Sequence, residues 1–296
     1  MSQESPDTVW LTTLFHAYAP SNVVEAIRST ETFTNEVYDI TTTDGQRYFL
    51  KILKNQLPEA IATEATMQQH LRASGIGTPQ YLAFTPDNYI GAVEGTRFIL
   101  SEYIAGESPK VVTPNLIRSF GSTLARLHDS LQDVEIAANT MQWLNPERVQ
   151  HDLEGFNGSA KASIQKLVDT GKVIFDLNLP QAVIHGDLWL SNVFAKDDEI
   201  TTVFDLETAE RTVRIIDLAR TYTSLKFNSE YLLHDIATYL LDGYDTVAVR
   251  PLTRLERAKF ATAIAYVCGG CATWHAIHGT RYMEPYVALG EEALST

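Results

Sequence analysis

The hydrophobic period of this 296-residue chain changes near Ala105-Gly106, and that change restricts the fold more than any other feature. Upstream, apolar residues alternate in short runs separated by turn residues. Val37 to Leu53 reads as two strands, because β-branched and aromatic residues flank Asp44-Gly45, a strong hairpin signal. A helix is expected from Pro58 to about Ser74, with Gly75 just beyond it. Further strands are expected at Tyr81–Phe84, at Tyr89–Val93 and, after a turn at Glu94-Gly95, at Arg97–Ile104. Downstream the period is helical. Thr113 is placed to cap a helix with Pro114 in its first turn, and Leu116, Phe120, Leu124, Leu127 and Leu131 form one apolar stripe. Residues 139–171 read as helical with polar breaks, Ala182–His185 as a short strand, and Val193–Phe204 as a hairpin around Lys196-Asp197-Asp198. From Ile215 onward the chain reads as helical, with Thr253 and Glu256 as a capping box. The expectation is an α+β protein of two lobes. Residues 1–104 form a small antiparallel β lobe with one main helix, residues 105–296 a larger and mainly helical lobe, and residues 101–106 the hinge.

Composition narrows the partners. The formal charge of −14 opposes attraction to a phosphate backbone, so nucleic acid is not expected. The N-terminal residues lack a basic segment followed by an apolar one, and the weakly apolar run Ala258–Ile277 reads as a buried helix. No membrane partner is expected, and two cysteines fit a reducing compartment, the cytoplasm. Cys268, Cys271, His275 and His278 have zinc-ligand chemistry, but on one continuous helix they are spread over roughly 15 Å and do not converge on an ion. They read as packing residues. Trp274, Tyr282 and Tyr286 also read as core, with stacking on an acceptor as the alternative.

Chemistry is carried by four features. Asp187, with Asn192 five positions later, leaves the strand that ends at His185, and supplies a carboxylate for a hydroxyl proton beside an oxygen donor for a hard cation. Asp205 ends the following hairpin and is a second oxygen donor for Mg2+. Lys51 lies on a strand, and Glu64 shares a helix face with Ile61 and Leu71, where an unpaired carboxylate is costly, so Lys51 is its expected partner. Finally, the carbonyl of Glu102 and the amide of Ile104 are spaced to pair with a nucleotide base where a strand leaves its sheet.

Taken in order, these residues resemble the aminoglycoside phosphotransferase and choline kinase superfamily, distant relatives of the protein kinases. The resemblance rests on His185-x-Asp187-x-x-x-x-Asn192, Asp205-Leu206-Glu207, Asp217-Leu218-Ala219, Phe33 to Tyr38, Lys51, Glu64 and Ser101 to Ile104. Homoserine-kinase-like members are nearest in character. The resemblance implies a protein-kinase-like fold and an ATP- and Mg2+-dependent transfer of the γ-phosphate to a hydroxyl of a small molecule, an amino alcohol, a sugar or an aminoglycoside. It implies Asp187 as catalytic base, Asn192 and Asp205 as metal ligands, Lys51 on the nucleotide phosphates and Glu64 orienting Lys51. His185 and Asp217 would support the catalytic loop. Two departures stand out: Glu31-Thr32 where relatives often carry paired glycines, and Trp189-Leu190-Ser191 inside the loop. A protein acceptor is disfavoured because only residues 206–216 are available for an activation segment, and a nucleotide-binding module of weak activity is the other alternative. The acceptor pocket is expected among the helices after residue 105.

Overall fold

The computed structural model describes residues 7–29, 36–137 and 143–295, which fall into two units, Met1–Gln69 with Thr78–Ala105 and His70–Gly77 with Gly106–Thr296.

In the first unit a short helix, α1 (Thr8–Phe15), begins where the Asp7 carboxylate accepts the N–H groups of Val9 and Trp10. Strands β1 (Val23–Arg28), β2 (Glu36–Thr42), β3 (Arg47–Leu53), β4 (Gly91–Val93) and β5 (Thr96–Glu102) form one antiparallel sheet in the order β1-β2-β3-β5-β4. Alternation along the strands sends Ile40, Leu50, Phe98 and Leu100 into a core shared with Leu11, Leu14 and Phe15 of α1. The β2–β3 turn falls at Asp44-Gly45 as expected, with Gly45 at a φ of +78°. Helix α2 (Pro58–Ala73) starts at its proline and ends before Gly75, whose φ of +76° suits a C-terminal glycine. Ile61 of α2 packs with Leu53 and Ile99.

The third expected strand is a correction. Tyr81–Phe84 is not a strand: Tyr81 makes one isolated bridge to Ser101, and Leu82 donates to the carbonyl of Leu100. A turn at Thr85–Asn88, with Asp87 at positive φ, curls the chain away, and the Asn88 side chain takes the N–H of Ile90. β4 therefore starts only at Gly91, and β5 stops at Glu102, short of Ile104.

The second unit is mainly helical: α3 (Pro114–Ser130), α4 (Pro146–Gly155), α5 (Lys161–Gly171), α6 (Ile215–Phe227), α7 (Leu233–Val247), α8 (Arg254–Ala258), α9 (Phe260–Ile277) and α10 (Met283–Ser295). Thr113 caps α3, and all five leucine and phenylalanine positions of its stripe are buried. At Gly121 a Cβ would stand 2.1 Å from the carbonyl oxygen of Leu240, and at Gly243 one would stand 2.2 Å from that of Arg118. Glycine on both helices is thus what lets α3 and α7 approach. Helix α9 is long and apolar enough to cross a membrane by composition, yet 67% of it is buried among α4, α5, α6 and α10, so it is the core helix of this unit. Of residues 139–171, those up to 142 lie outside the described residues; the remainder forms α4 and α5 with a break between them.

Two strand pairs complete the second unit. β7 (Val193–Lys196) and β8 (Glu199–Val203) are the expected hairpin. β6 (Gln181–Ile184) pairs with β9 (Glu210–Val213), a strand the sequence pattern did not reveal because it is short and carries charge at two of four positions.

Candidate active site

Strand β6 delivers the chain into a loop, residues 185–192, whose backbone is held from below by a buried carboxylate. Asp217, in the first turn of α6 and without solvent exposure, accepts the N–H groups of His185 at 2.8 Å and Gly186 at 2.9 Å, and Nε2 of His128 lies 3.0 Å away. Burial alone would raise the Asp217 carboxyl; hydrogen bonds from His128 and the His185 backbone hold it below the usual carboxylate range. Gly186 has a φ of +80°, and a Cβ there would stand 2.7 Å from the carbonyl of Thr208, so the turn admits only glycine without strain. The His185 ring bridges the loop to the next hairpin, with Nε2 2.8 Å from the carbonyl of Phe204 and Nδ1 3.2 Å from the N–H of Asp187. These contacts place His185 and Asp217 as supports of the loop.

Behind His128 the network continues inward. Its Nδ1 meets the Tyr244 hydroxyl, which also receives Nη1 of Arg214. Arg214 forms a two-point pair with Glu256 at 2.8 and 3.1 Å and donates to the carbonyls of Arg250 and Pro251. Glu256 is the capping-box residue of α8, so one side chain closes a helix and anchors the network.

At the top of the loop the Asp187 carboxylate is about a third exposed, and its Oδ1 accepts from Nη2 of Arg220 at 2.6 Å. The Asn192 amide donates from Nδ2 to the carbonyl of Asp187, which leaves the amide oxygen on the other side. The backbone carbonyl of Asn192 accepts the N–H of Phe204, so Asn192 and the residue before Asp205 are stitched together. Asp205 has a φ of +63°, a strained region for a residue other than glycine. Asp187, Asn192 and Asp205 are therefore gathered around one loop and hairpin of the second unit. An amide oxygen and a carboxylate are hard donors, the set that suits Mg2+ better than a soft metal.

Lys51, Glu64, Glu102 and Ile104 belong to the first unit. Lys51 lies in β3, in register with Val37 and Ile99. Glu64 of α2 is buried, and its Oε2 accepts the Tyr81 hydroxyl at 2.5 Å, a partner not anticipated from the sequence. Glu102 ends β5 with its N–H on the carbonyl of Gln80, and Ile104 follows in irregular backbone. Phe33-Thr34-Asn35 and Glu31-Thr32 lie outside the described residues.

Arg220 is the residue that sequence reasoning missed. It sits on α6, three positions after Asp217, and its side chain is 8% exposed. Nη1 donates to Thr223 Oγ1 at 3.1 Å and to the Tyr286 hydroxyl at 3.2 Å. The guanidinium carbon stands 4.3 Å from the Trp189 ring centre and 5.1 Å from that of Trp143. Burial would lower its pKa, but Tyr286 and Asp187 more than offset this and hold the guanidinium charged. Of the three aromatic residues expected in the core, only Tyr286 is fully buried. Tyr282 is 42% exposed, and Trp274 stacks on His278 near the end of α9. Cys268 and Cys271 are buried free thiols, both pushed up by burial, Cys271 to about 11.

Comparison with known proteins gives the family. The model of the phosphotransferase enzyme family matches residues 25–251, and the chain belongs to that family. A homoserine kinase from Zymomonas mobilis is 28% identical over 239 residues, covering 78% of this chain and 74% of the relative. A homoserine kinase from Granulibacter bethesdensis is 26% identical over 247 residues, covering 80% and 75%. Among solved structures, the amicoumacin kinase hAmiN in complex with AMP-PNP, Ca2+ and Ami superposes with a TM-score of 0.73 at 16% identity, over 90% of this chain and 88% of that one. A macrolide 2'-phosphotransferase type I gives 0.64 at 17% identity, over 97% and 98%. At those identities the structures establish the fold, the α+β arrangement of an antiparallel sheet unit and a helical unit. The chain is a small-molecule kinase.

Proposed function

We propose that this kinase transfers the γ-phosphate of ATP, with Mg2+, to a hydroxyl of a small molecule, with Asp187 as the base. The observation that carries the reading is the placement of the Asp187 carboxylate on a loop pinned at two N–H groups by Asp217, with Asn192 and Asp205 stitched beside it. Phosphoryl transfer is mostly a matter of positioning and charge stabilisation, so a rigid loop is the part the protein must supply. In this reading an Asp187 oxygen orients the attacking hydroxyl and accepts its proton, while Arg220 and the loop hold the carboxylate in place. Asn192 and Asp205 would hold Mg2+, which when bound offsets the negative charge of the phosphates. Lys51 contacts those phosphates, Glu64 orients Lys51, and Glu102 and Ile104 meet the base. Residues 1–104 then serve as the nucleotide lobe, residues 105–296 as the acceptor lobe and residues 101–106 as the hinge. The relatives named homoserine kinase and the neighbour solved with AMP-PNP support the use of a nucleotide and make homoserine the first acceptor to try. Two buried thiols suit a reducing compartment, and the cytoplasm is the proposed location.

The test is Asp187→Ala in a coupled assay of ATP consumption across amino alcohols, hydroxy amino acids, sugars and aminoglycosides. Turnover is expected to vanish while ATP binding, followed by thermal shift, is retained. Wild-type turnover in the variant would remove Asp187 from the reaction.

A further inference from the structure

Arg220 is more than a partner for Asp187. A guanidinium carries five N–H donors in a fixed fork. Among the described residues, Nη1 is met by Thr223 and Tyr286 and Nη2 by Asp187, whereas Nε is buried and has no hydrogen-bond partner. Among the described residues the only other buried side-chain polar atom without a partner is Nε1 of Trp189, the ring that lies 4.3 Å from the Arg220 guanidinium. Buried donors are paired in the great majority of cases, and here two unpaired ones belong to neighbouring side chains beside the candidate base. Their shared chemistry is that of a receptor for an anionic oxygen. Nε and Nη2 can share one edge of the fork, the edge that matches a carboxylate.

Charge balance points the same way. The carboxylate that faces Arg220 is Asp187, and once Asp187 has accepted a hydroxyl proton it no longer neutralises the guanidinium. A buried cation left without an anion is strongly disfavoured, so an anion carried by the acceptor keeps Arg220 compensated through the reaction. The surrounding walls add no second cation from His275, which burial and the Arg220 charge push down to about 4. An acceptor carrying several ammonium groups would meet a fixed positive charge there.

We propose that Arg220, with Trp189, is a specificity-determining residue that binds a carboxylate of the acceptor, so that the substrates are hydroxy acids and not polyamine alcohols. This rests on the kinase reading above. The experiment uses the full chain with ATP and Mg2+ and pairs each hydroxy acid with its carboxylate-free counterpart. L-homoserine is set against 3-amino-1-propanol, L-serine against ethanolamine and L-threonine against 1-amino-2-propanol, with kanamycin as the polycation. Wild type is expected to favour the best acid over its counterpart by ~100-fold or more in kcat/KM, since a site built to pair a polar group rejects the analogue that lacks it. Arg220→Gln is expected to raise KM for the acid and shrink that preference to a few-fold, with KM for ATP little changed. Trp189→Phe keeps a ring but removes the donor and should raise KM for the acid several-fold; it serves if Arg220→Gln fails to fold. Equal use of an acid and its counterpart by wild type, or preferred use of kanamycin, overturns this inference alone. A rise in KM for ATP in Arg220→Gln with acceptor preference intact overturns it as well, assigning Arg220 to the phosphates. Turnover confined to sugars overturns this inference alone, and consumption of ATP with none of these alcohols or sugars overturns the kinase reading and this inference with it.

Discussion

Replacing Asp217 by Asn tests whether the catalytic loop is held by charge or merely by shape. The Asp217 carboxylate receives two backbone N–H groups, at 2.8 Å from His185 and 2.9 Å from Gly186, and lies 3.0 Å from Nε2 of His128. Asparagine is nearly isosteric, but it offers one oxygen and turns an NH2 toward a group that is itself a donor. At least one buried N–H then loses its acceptor, at about 1–3 kcal/mol, and the remaining bonds lose the charge that strengthens them. Together these predict a loss of about 3 kcal/mol in the free energy of unfolding, read by urea denaturation at pH 7. Asp217→Ala strands both N–H groups and should cost about 3–5 kcal/mol. The loop that carries Asp187 hangs from the same two N–H groups, so turnover should fall by ~100-fold, the usual penalty for a misplacement of about 1 Å. Amide exchange at His185 and Gly186 should accelerate more than at β7, which is held by its own ladder. An Asp217→Asn protein with wild-type stability and turnover would refute this account of the loop.

Three further outcomes follow from the same packing. Glu210 is pushed up to about 7 from 4.5 by burial and the nearby charge of Asp217, so the folded state holds its proton more tightly than the unfolded state does. That contribution is complete below 4.5 and is lost as pH rises through 7; between pH 4.5 and 8 wild type should lose about 3 kcal/mol more stability than Glu210→Gln, read from denaturation at each pH. Arg214→Met leaves the fully buried Glu256 carboxylate without its two-point partner and should cost about 3–5 kcal/mol, read by chemical denaturation. Gly121→Ala places a Cβ 2.1 Å from the Leu240 carbonyl, so α3 and α7 must part, and a loss of about 1–3 kcal/mol or more is expected, with a lowered Tm.

What the sequence determined by itself is whatever is settled within a few residues. The turn at Asp44-Gly45, the Pro58 start and Gly75 stop of α2, the Thr113 cap with Pro114, and the box of Thr253 with Glu256 each use hydrogen bonds and backbone preferences that neighbours along the chain provide. The order of Asp187, Asn192 and Asp205 was equally legible, because a strand, a loop and a hairpin set their spacing, and the loop and hairpin connect them directly. The tertiary structure decided the rest. Tyr81–Phe84 has strand-like residues but forms only a bridge, because the Gln68 side chain takes the N–H of Tyr81 and the main-chain carbonyl of Asn88, in the turn that follows, takes that of Phe84. β9 exists because β6 offers a partner, and its own four residues carry no alternation that would announce it. His128 lies 89 positions from Asp217 and Arg220 lies 33 from Asp187, so neither pairing leaves a periodic trace. The energy of such contacts comes from excluding water around charged groups brought together by packed helices, and that environment does not exist until the helices have met.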